Sequence, residues 1–251
     1  MRILLTNDDG IFAKGIQSLV KELEKYYEVI IVAPDSQKSA SSHSITLTKA
    51  LVVKEQTLDG IKSKAFSISG TPSDCVKLAL TKLINDKVDL VISGTNYGYN
   101  LGTDVIYSGT VSAAVESAIF KIPSIALSCD GKDCSYDLAN KVAVKVIKKI
   151  EQCKLKNDFV LNINIPHVDD LLKNNIKVCR IGERTYKNFY IETLNEDGST
   201  SLEIHGNEQD KDEEETDLYN IKRGYITLTP LHYDLTNFKI IKEVKNIFDK
   251  I

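Results

Sequence analysis

Arg2-Ile3-Leu4-Leu5-Thr6-Asn7-Asp8-Asp9-Gly10 begins as a short apolar run and breaks at a polar turn, after which Ile16, Leu19, Val20 and Leu23 recur at helical spacing. The pattern predicts strand, turn and helix. Glu28 to Ala33 is a second, β-branched run closed by Pro34, and the polar stretch from Asp35 to Ser44 that follows reads as a loop. Alternation in Ile45-Thr46-Leu47-Thr48 and in Phe66-Ser67-Ile68-Ser69 predicts short strands of an antiparallel excursion, broken at Asp59-Gly60.

Thr71-Pro72-Ser73-Asp74 opens a helix, with a Thr cap, Pro at the first helical position and a carboxylate three residues after the cap. Val76, Leu80, Leu83 and Ile84 supply its buried face. Val88 to Ile92 is a third buried-type strand, and Ser93 to Gly102 is too rich in Gly and Asn to read as anything but a loop. A helix over Thr110 to Phe120, a strand over Ser124 to Ser128, a helix over Tyr136 to Ile150 and a strand over Phe159 to Ile165 continue the alternation. Strands and helices alternating in this way imply parallel strands joined by right-handed crossovers. The expected fold is a three-layer, doubly wound, mostly parallel α/β sheet of the Rossmann-like kind.

Residues 1–251 read as one domain of 28.0 kDa with two appendages. From about Thr185 to Asn220 polar, charged and aromatic segments end in Asp212-Glu213-Glu214-Glu215, which reads as a projecting hairpin arm with a solvated acidic face. Residues 236–251 carry Ile240, Ile241, Val244, Ile247 and Phe248 at helical spacing, a helical tail that must pack on something. Neither appendage buries its own apolar residues, so a partner subunit is expected.

A net charge of −3 and a pI near 5.9 give no basic field for polymer nucleic acid. No apolar stretch approaches a membrane span, and the start lacks the long apolar region of a secretory signal, so a cytoplasmic location is expected. Five cysteines, odd in number and without paired close spacing, read as reduced, mostly structural thiols.

In an open parallel sheet, ligands bind outside the carboxyl ends of the strands near the point where strand order reverses. The first post-strand loop carries Asn7-Asp8-Asp9, the second Ser39, and the third Asn96 and Asn100. Carboxylate, hydroxyl and amide oxygens suit Mg²⁺ or Mn²⁺ and do not suit structural zinc. Each motif also has a plainer reading: Asp-Asp-Gly as a turn, Ser39 as a loop hydroxyl, Asn96 as a residue that tolerates left-handed backbone. Their placement after three successive strands favours the cation. Tyr107-Ser108-Gly109-Thr110-Val111 runs into a helix, whose first N–H groups and hydroxyls can surround an anion or merely cap the helix. A cation site facing such a helix start points to phosphoryl chemistry. No Gly-x-x-x-x-Gly-Lys-Ser/Thr loop is present, which argues against a P-loop NTPase.

These motifs resemble the survival protein E (SurE) family of 5′/3′-nucleotidases. The matching stretches are Ile3 to Ile11, Val32-Ala33-Pro34-Asp35 with Ser39, Gly70 to Val76, Val91 to Asn96, Asn100-Leu101-Gly102 and Tyr107 to Val111, with weaker echoes in Leu161 to Pro166 and Gly224 to Leu231. The resemblance implies one divalent cation, Mg²⁺ or Mn²⁺, held by Asp8, Asp9, Ser39 and Asn96. It implies Ser108, Gly109 and Thr110 near the substrate phosphate, and Asp8 or Asp9 as the group that accepts a proton from the attacking water. The implied reaction is hydrolysis of nucleoside 5′-monophosphates, and of 3′-monophosphates, by water activated at the metal. Homodimers or homotetramers with exchanged hairpin or C-terminal elements are implied as well. This chain departs from the family pattern at Thr95, usually aliphatic, at Ala40, usually Gly, and at Tyr97 and Tyr99 in the third loop. His43 is a candidate acid beside Ser39, against the plainer reading of a structural histidine.

Two other readings stand beside this one. A haloacid-dehalogenase-like phosphatase also places Asp after the first strand but needs Asp-x-Asp, where this chain has adjacent Asp8-Asp9. A non-enzymatic nucleotide-binding protein would use the same loops merely to anchor a ligand.

Overall fold

The computed structural model describes residues 1–131, 135–153, 159–167 and 175–249. In chain order the first half comprises β1 (Arg2–Thr6), α1 (Lys14–Leu23), β2 (Glu28–Pro34), β3 (Val53–Gln56), β4 (Lys64–Ile68), α2 (Pro72–Leu78), β5 (Leu90–Tyr97) and α3 (Gly109–Ile119). The second half comprises β6 (Ser124–Cys129), α4 (Tyr136–Gln152), β7 (Val160–Ile165), β8 (Ile176–Val178), β9 (Arg184–Leu194), β10 (Thr200–Asp210), α5 (Asp217–Ile221), β11 (Ile226–Leu231) and α6 (Ile241–Phe248). A nine-stranded sheet runs β3-β4-β2-β1-β5-β6-β7-β11-β8. From β4 to β7 every pair is parallel, while β3 against β4 and β11 against β7 are antiparallel.

Alternation along the strands sorts the core into two layers. Ile3 and Leu5 of β1 pack with Leu90 and Ile92 of β5 under Ile16, Leu19 and Leu23 of α1 and Ala143 and Ile147 of α4. Leu4 and Val91 face the other way, onto Val76 of α2 and Ala113 of α3. Full burial of each such side chain contributes roughly 1.5–3 kcal/mol, enough to fix the register of both central strands. Among the described residues no helix is long and apolar enough to cross a membrane.

The structure departs from the sequence reading in four places. Residues 45–48 form no strand, because the N–H and hydroxyl of Thr46 are taken by Asp74 at 2.9 and 2.6 Å. Ser93 to Tyr97 is strand rather than loop: the register of β5 against β6 shifts between Ser93 and Asn96, and pairing resumes at Asn96 with Ser128. The hairpin of the arm ends at Asp210, and the chain from Asp217 is already back in the body, where Asp217 and Leu218 are buried. Within the acidic run, Glu213 is bound by Arg180 and Lys211 at 2.7 and 2.5 Å rather than simply solvated. The expectation of five reduced cysteines also fails. Cys75, Cys153 and Cys179 are free, Cys129 is disulfide-bonded, and Cys134 lies outside the described residues.

Candidate active site at the switch point of the sheet

Strand order reverses at β1, which has β2 on one side and β5 on the other. At the carboxyl ends of these strands lies a cleft of about 220 Å³ lined by Asp8, Asp9, Ser39, Asn96 and Ser108, together with Gln37, Ala40, Tyr97, Asn100, Asp104 and Tyr107. A larger cleft of about 680 Å³ opens at the amino ends of the strands, around Asp86, Lys87 and Pro123, where the topology delivers no loop of convergent chemistry. The smaller cleft is the candidate site.

The turn after β1 is built so that both its carboxylates are constrained. Asn7 closes it by donating to the Gly10 carbonyl at 2.9 Å, and Gly10 has a φ of 96° that favours glycine. Asp8 is almost wholly buried: its carboxylate accepts from the Thr110 hydroxyl and from the Thr110 N–H at 3.2 Å. Burial pushes the Asp8 carboxyl up to about 6 against the pull of Thr110, and the neighbouring charge of Asp9 adds to the rise. Burial also raises Asp9, opposed by a hydrogen bond from the Tyr97 N–H at 3.3 Å.

Gly109 and Thr110 do not line the cleft; they sit behind Asp8. A Cβ on Gly109 would lie 3.0 Å from the Asp8 Cβ and 2.8 Å from the Ser41 Oγ, so the start of α3 presses directly on the carboxylate. The Thr110 hydroxyl, expected to face an anion, holds Asp8 instead. Ser108 caps α3 by accepting from the Val111 N–H at 3.1 Å. Among the described residues no hydrogen bond occupies the N–H groups of Ser108 and Gly109. Of the two, Ser108 lines the cleft, so its donor remains for a ligand there.

Asn96 donates from its amide nitrogen to the Gly98 carbonyl at 2.8 Å, which leaves its amide oxygen for a ligand. Ser39 accepts from Gln37 at 2.9 Å, and the loop it belongs to is tied to the first by the Lys38 N–H on the Asp8 carbonyl at 2.7 Å. Beyond Ser39 that loop lacks regular structure and is pinned at four points: Ser42 on the Ile106 and Tyr107 carbonyls, His43 on Glu116 at 2.7 Å, the Ser44 carbonyl by the Thr71 hydroxyl at 2.7 Å, and Thr46 on Asp74. Ala40, where the resembled family has Gly, takes a left-handed φ of 53°. His43 does not line the cleft. Its Nε2 meets the buried Glu116, which Lys77 approaches at 3.4 Å, and these partners outweigh burial to hold the Glu116 carboxyl below its usual range.

Among the described residues no Lys, Arg or His lines the cleft, so neither Asp8 nor Asp9 has a basic side chain beside it there. The donor set of two carboxylates, a hydroxyl and an amide oxygen fits a hard divalent ion. Among the described residues there is no group of three or more His, Cys, Asp and Glu of the kind that zinc sites require.

Ser128, Asn162, Asn164 and Glu116 shape the site without having been singled out for it from the sequence. Asn100 is seated by Asn164, which accepts from its N–H at 2.8 Å, by Ser128 at 2.7 Å, and by Asn162 and Asn164 donating to its carbonyl at 2.8 and 3.0 Å. The signal was two Asn at alternate positions of an otherwise apolar strand, on the face opposite Leu161 and Ile163. Glu116, a lone carboxylate amid the small residues of α3, was a second such signal.

A model of the family described as Survival protein SurE matches residues 3–188. The chain is 48% identical over 251 residues to a protein of Clostridium botulinum (strain ATCC 19397 / Type A) named 5′-nucleotidase SurE, with 99% of each chain covered. It is 48% identical over 250 residues to a protein of the same name from Clostridium tetani, covering 99% of this chain and all of the other. The crystal structure of the Sure protein from Aquifex aeolicus superposes with a TM-score of 0.83 at 39% identity, over 98% of this chain and 99% of that one.

Proposed function

Because the chain belongs to the Survival protein SurE family, we propose that it is a phosphoric monoester hydrolase that converts nucleoside 5′-monophosphates, and 3′-monophosphates, to nucleoside and inorganic phosphate with the help of one divalent cation. The observation that carries this reading is a cleft that pairs acceptor oxygens with the unoccupied Ser108 N–H and, among the described residues, is lined by no basic side chain. A dianionic phosphate entering such a cleft would meet two carboxylates, a repulsion that a bound divalent cation would offset. Asp8, Asp9, Ser39 and Asn96 are the residues that would hold Mg²⁺ or Mn²⁺. When bound, the cation supplies charge neutralisation at the phosphate and lowers the pKa of water.

The chain's own groups do the rest. The free N–H group of Ser108 receives a phosphate oxygen, with the positive end of the α3 dipole behind it. Thr110 fixes one carboxylate orientation of Asp8, so no reorganisation is needed as charge builds on phosphorus. Asp9, less deeply buried than Asp8, is placed to accept the proton of an attacking water. Adjacent carboxylates without Asp-x-Asp spacing disfavour a phosphoaspartate intermediate. Phosphate release from a panel of 5′- and 3′-monophosphates, measured with chelator and after each metal is restored, tests the reading. Turnover of AMP that needs Mg²⁺ or Mn²⁺ is expected; nucleotide binding without release would favour the non-enzymatic alternative.

The same reading includes self-association. Phe189, Tyr190, Leu194, Leu202 and Ile204 are exposed on the arm, and α6 buries none of Ile241, Val244, Ile247 and Phe248. Apolar surface on two extended elements is covered most simply by a second copy. Light scattering at micromolar concentration is expected to give at least twice the 28.0 kDa chain mass. A fully active monomer would contradict this.

A further inference from the structure

The short helical turn at Gly102–Ile106 reaches the cleft through Asp104, leads on into Ser108 and α3, and is held from outside the sheet. Gly102 donates its N–H to Asp217 at 2.9 Å, and the other oxygen of Asp217 takes the Gly182 N–H at 2.8 Å. Thr103 donates its hydroxyl to the Arg184 carbonyl at 2.6 Å. Asp104, which lines the cleft, receives the Arg184 guanidinium at 3.0 Å and the Tyr186 hydroxyl at 2.6 Å on one oxygen. Arg184 is itself gripped by Asp210 at 2.6 Å, across the first rung of the arm, and approached by Glu208 at 3.0 Å. Thus the two strands of the arm close on one side of the turn, while its other end passes through Tyr107 into Ser108, which lines the cleft with its N–H unoccupied among the described residues.

We propose that the root of the arm is part of the catalytic apparatus: Arg184 and Tyr186 are positioning residues that, through Asp104, set the angle at which Ser108 presents its N–H group to the substrate phosphate. The inference rests on the phosphatase reading above. With both of its strong donors coming from the arm, Asp104 is a tether and not a proton acceptor, even though it faces the cleft. Bidentate and charge-assisted contacts of this kind fix orientation more tightly than neutral ones. Their loss should loosen phosphate binding and leave the cation residues where they are. Asp8, Asp9 and Asn96 hang on β1 and β5, and the Ser39 loop keeps its own anchors on Glu116 and Asp74.

The test uses Tyr186→Phe, which deletes one partly exposed hydroxyl, and Arg184→Lys, which keeps the charge but not the fork. In Tyr186→Phe the KM for AMP and the dissociation constant for inorganic phosphate, titrated calorimetrically in the presence of Mg²⁺, are each expected to rise about tenfold, the low end of what removing a partner that orients a ligand-binding group typically costs. Metal affinity and thermal midpoint should match the wild type. Adding Asp104→Asn to Tyr186→Phe should do little more than either change alone, since both cut the same link. Arg184→Lys should give the same pattern with partial retention. Unchanged phosphate affinity in folded Tyr186→Phe overturns the proposal, as does a loss that tracks a fall in midpoint and metal affinity. Because phosphate binding is read without turnover, a wild type that binds phosphate but releases none from AMP would count against the phosphatase reading and not against the positioning.

Discussion

Asp8→Asn lowers phosphate release from AMP by at least about a hundredfold and weakens Mg²⁺ and Mn²⁺ binding, while the protein without metal becomes more stable. Both effects come from one buried charge. Asn keeps the shape of Asp and still accepts from Thr110, so the turn after β1 and the seat of α3 are preserved. What is lost is the carboxylate that neutralises a cation and, through it, the charge developing at phosphorus, an interaction that typically supplies several kcal/mol.

The stability effect has a definite sign. Burial raises the Asp8 carboxyl from the ordinary 3.8 to about 6. Its contribution to stability is therefore intact below about pH 4 and lost as pH rises through about 6, a penalty on the order of 3 kcal/mol by pH 7.5. In chelator, the thermal midpoints of wild type and Asp8→Asn should lie close together near pH 4, with the variant several degrees higher at pH 7.5. Saturating Mg²⁺ should reverse that order at pH 7.5. Wild-type turnover and wild-type metal affinity in Asp8→Asn and in Asp9→Asn would remove these residues from the site.

Gly15→Ala is the most damaging small substitution. Gly15 lies in α1, where Ala would ordinarily be favoured by up to about 1 kcal/mol. Here a Cβ would stand 2.1 Å from the Thr95 carbonyl oxygen and 3.2 Å from the Tyr136 ring. Neither backbone can yield alone, because Thr95 belongs to the central strand and Gly15 to the helix packed on it. Overpacking of this kind exceeds the usual 1–3 kcal/mol, so a drop of roughly 6–12 °C in the thermal midpoint is expected. Thr95 precedes Asn96, so displacement of β5 also weakens metal binding. Gly198→Ala, at the tip of the hairpin with no atom within 4 Å, supplies the comparison: its φ of 81° costs about 1 kcal/mol and nothing else. Equal midpoints for the two variants would mean that α1 and β5 are not in this contact.

Alternation and helical spacing sufficed for the parallel core because each central strand and helix buries its apolar residues on faces that the local period dictates, Ile3 and Leu5 one way and Leu4 the other. The candidate residues after β1, β2 and β5 followed from the rule that post-strand loops meet at the switch point, and Asp8, Asp9, Ser39 and Asn96 do line one cleft there. The strand character of Ser93 to Tyr97 escaped, since a register shift depends on a partner strand about thirty residues later in the chain.

The sequence by itself determined the layered α/β body and the set of oxygen-bearing side chains at its carboxyl end, because both rest on short-range periodicity and on chain order. Only the tertiary structure decided what those side chains do to one another. Thr110 turns to Asp8 because α3 is pressed against the turn at Gly109, with no room for another side-chain carbon. His43 turns away to Glu116 because a buried carboxylate must find donors wherever the packing offers them. Asp104 is tied to Arg184 and Tyr186, about eighty residues later in the chain, because a hydrogen bond is specified by proximity in space, which no local pattern of residues encodes.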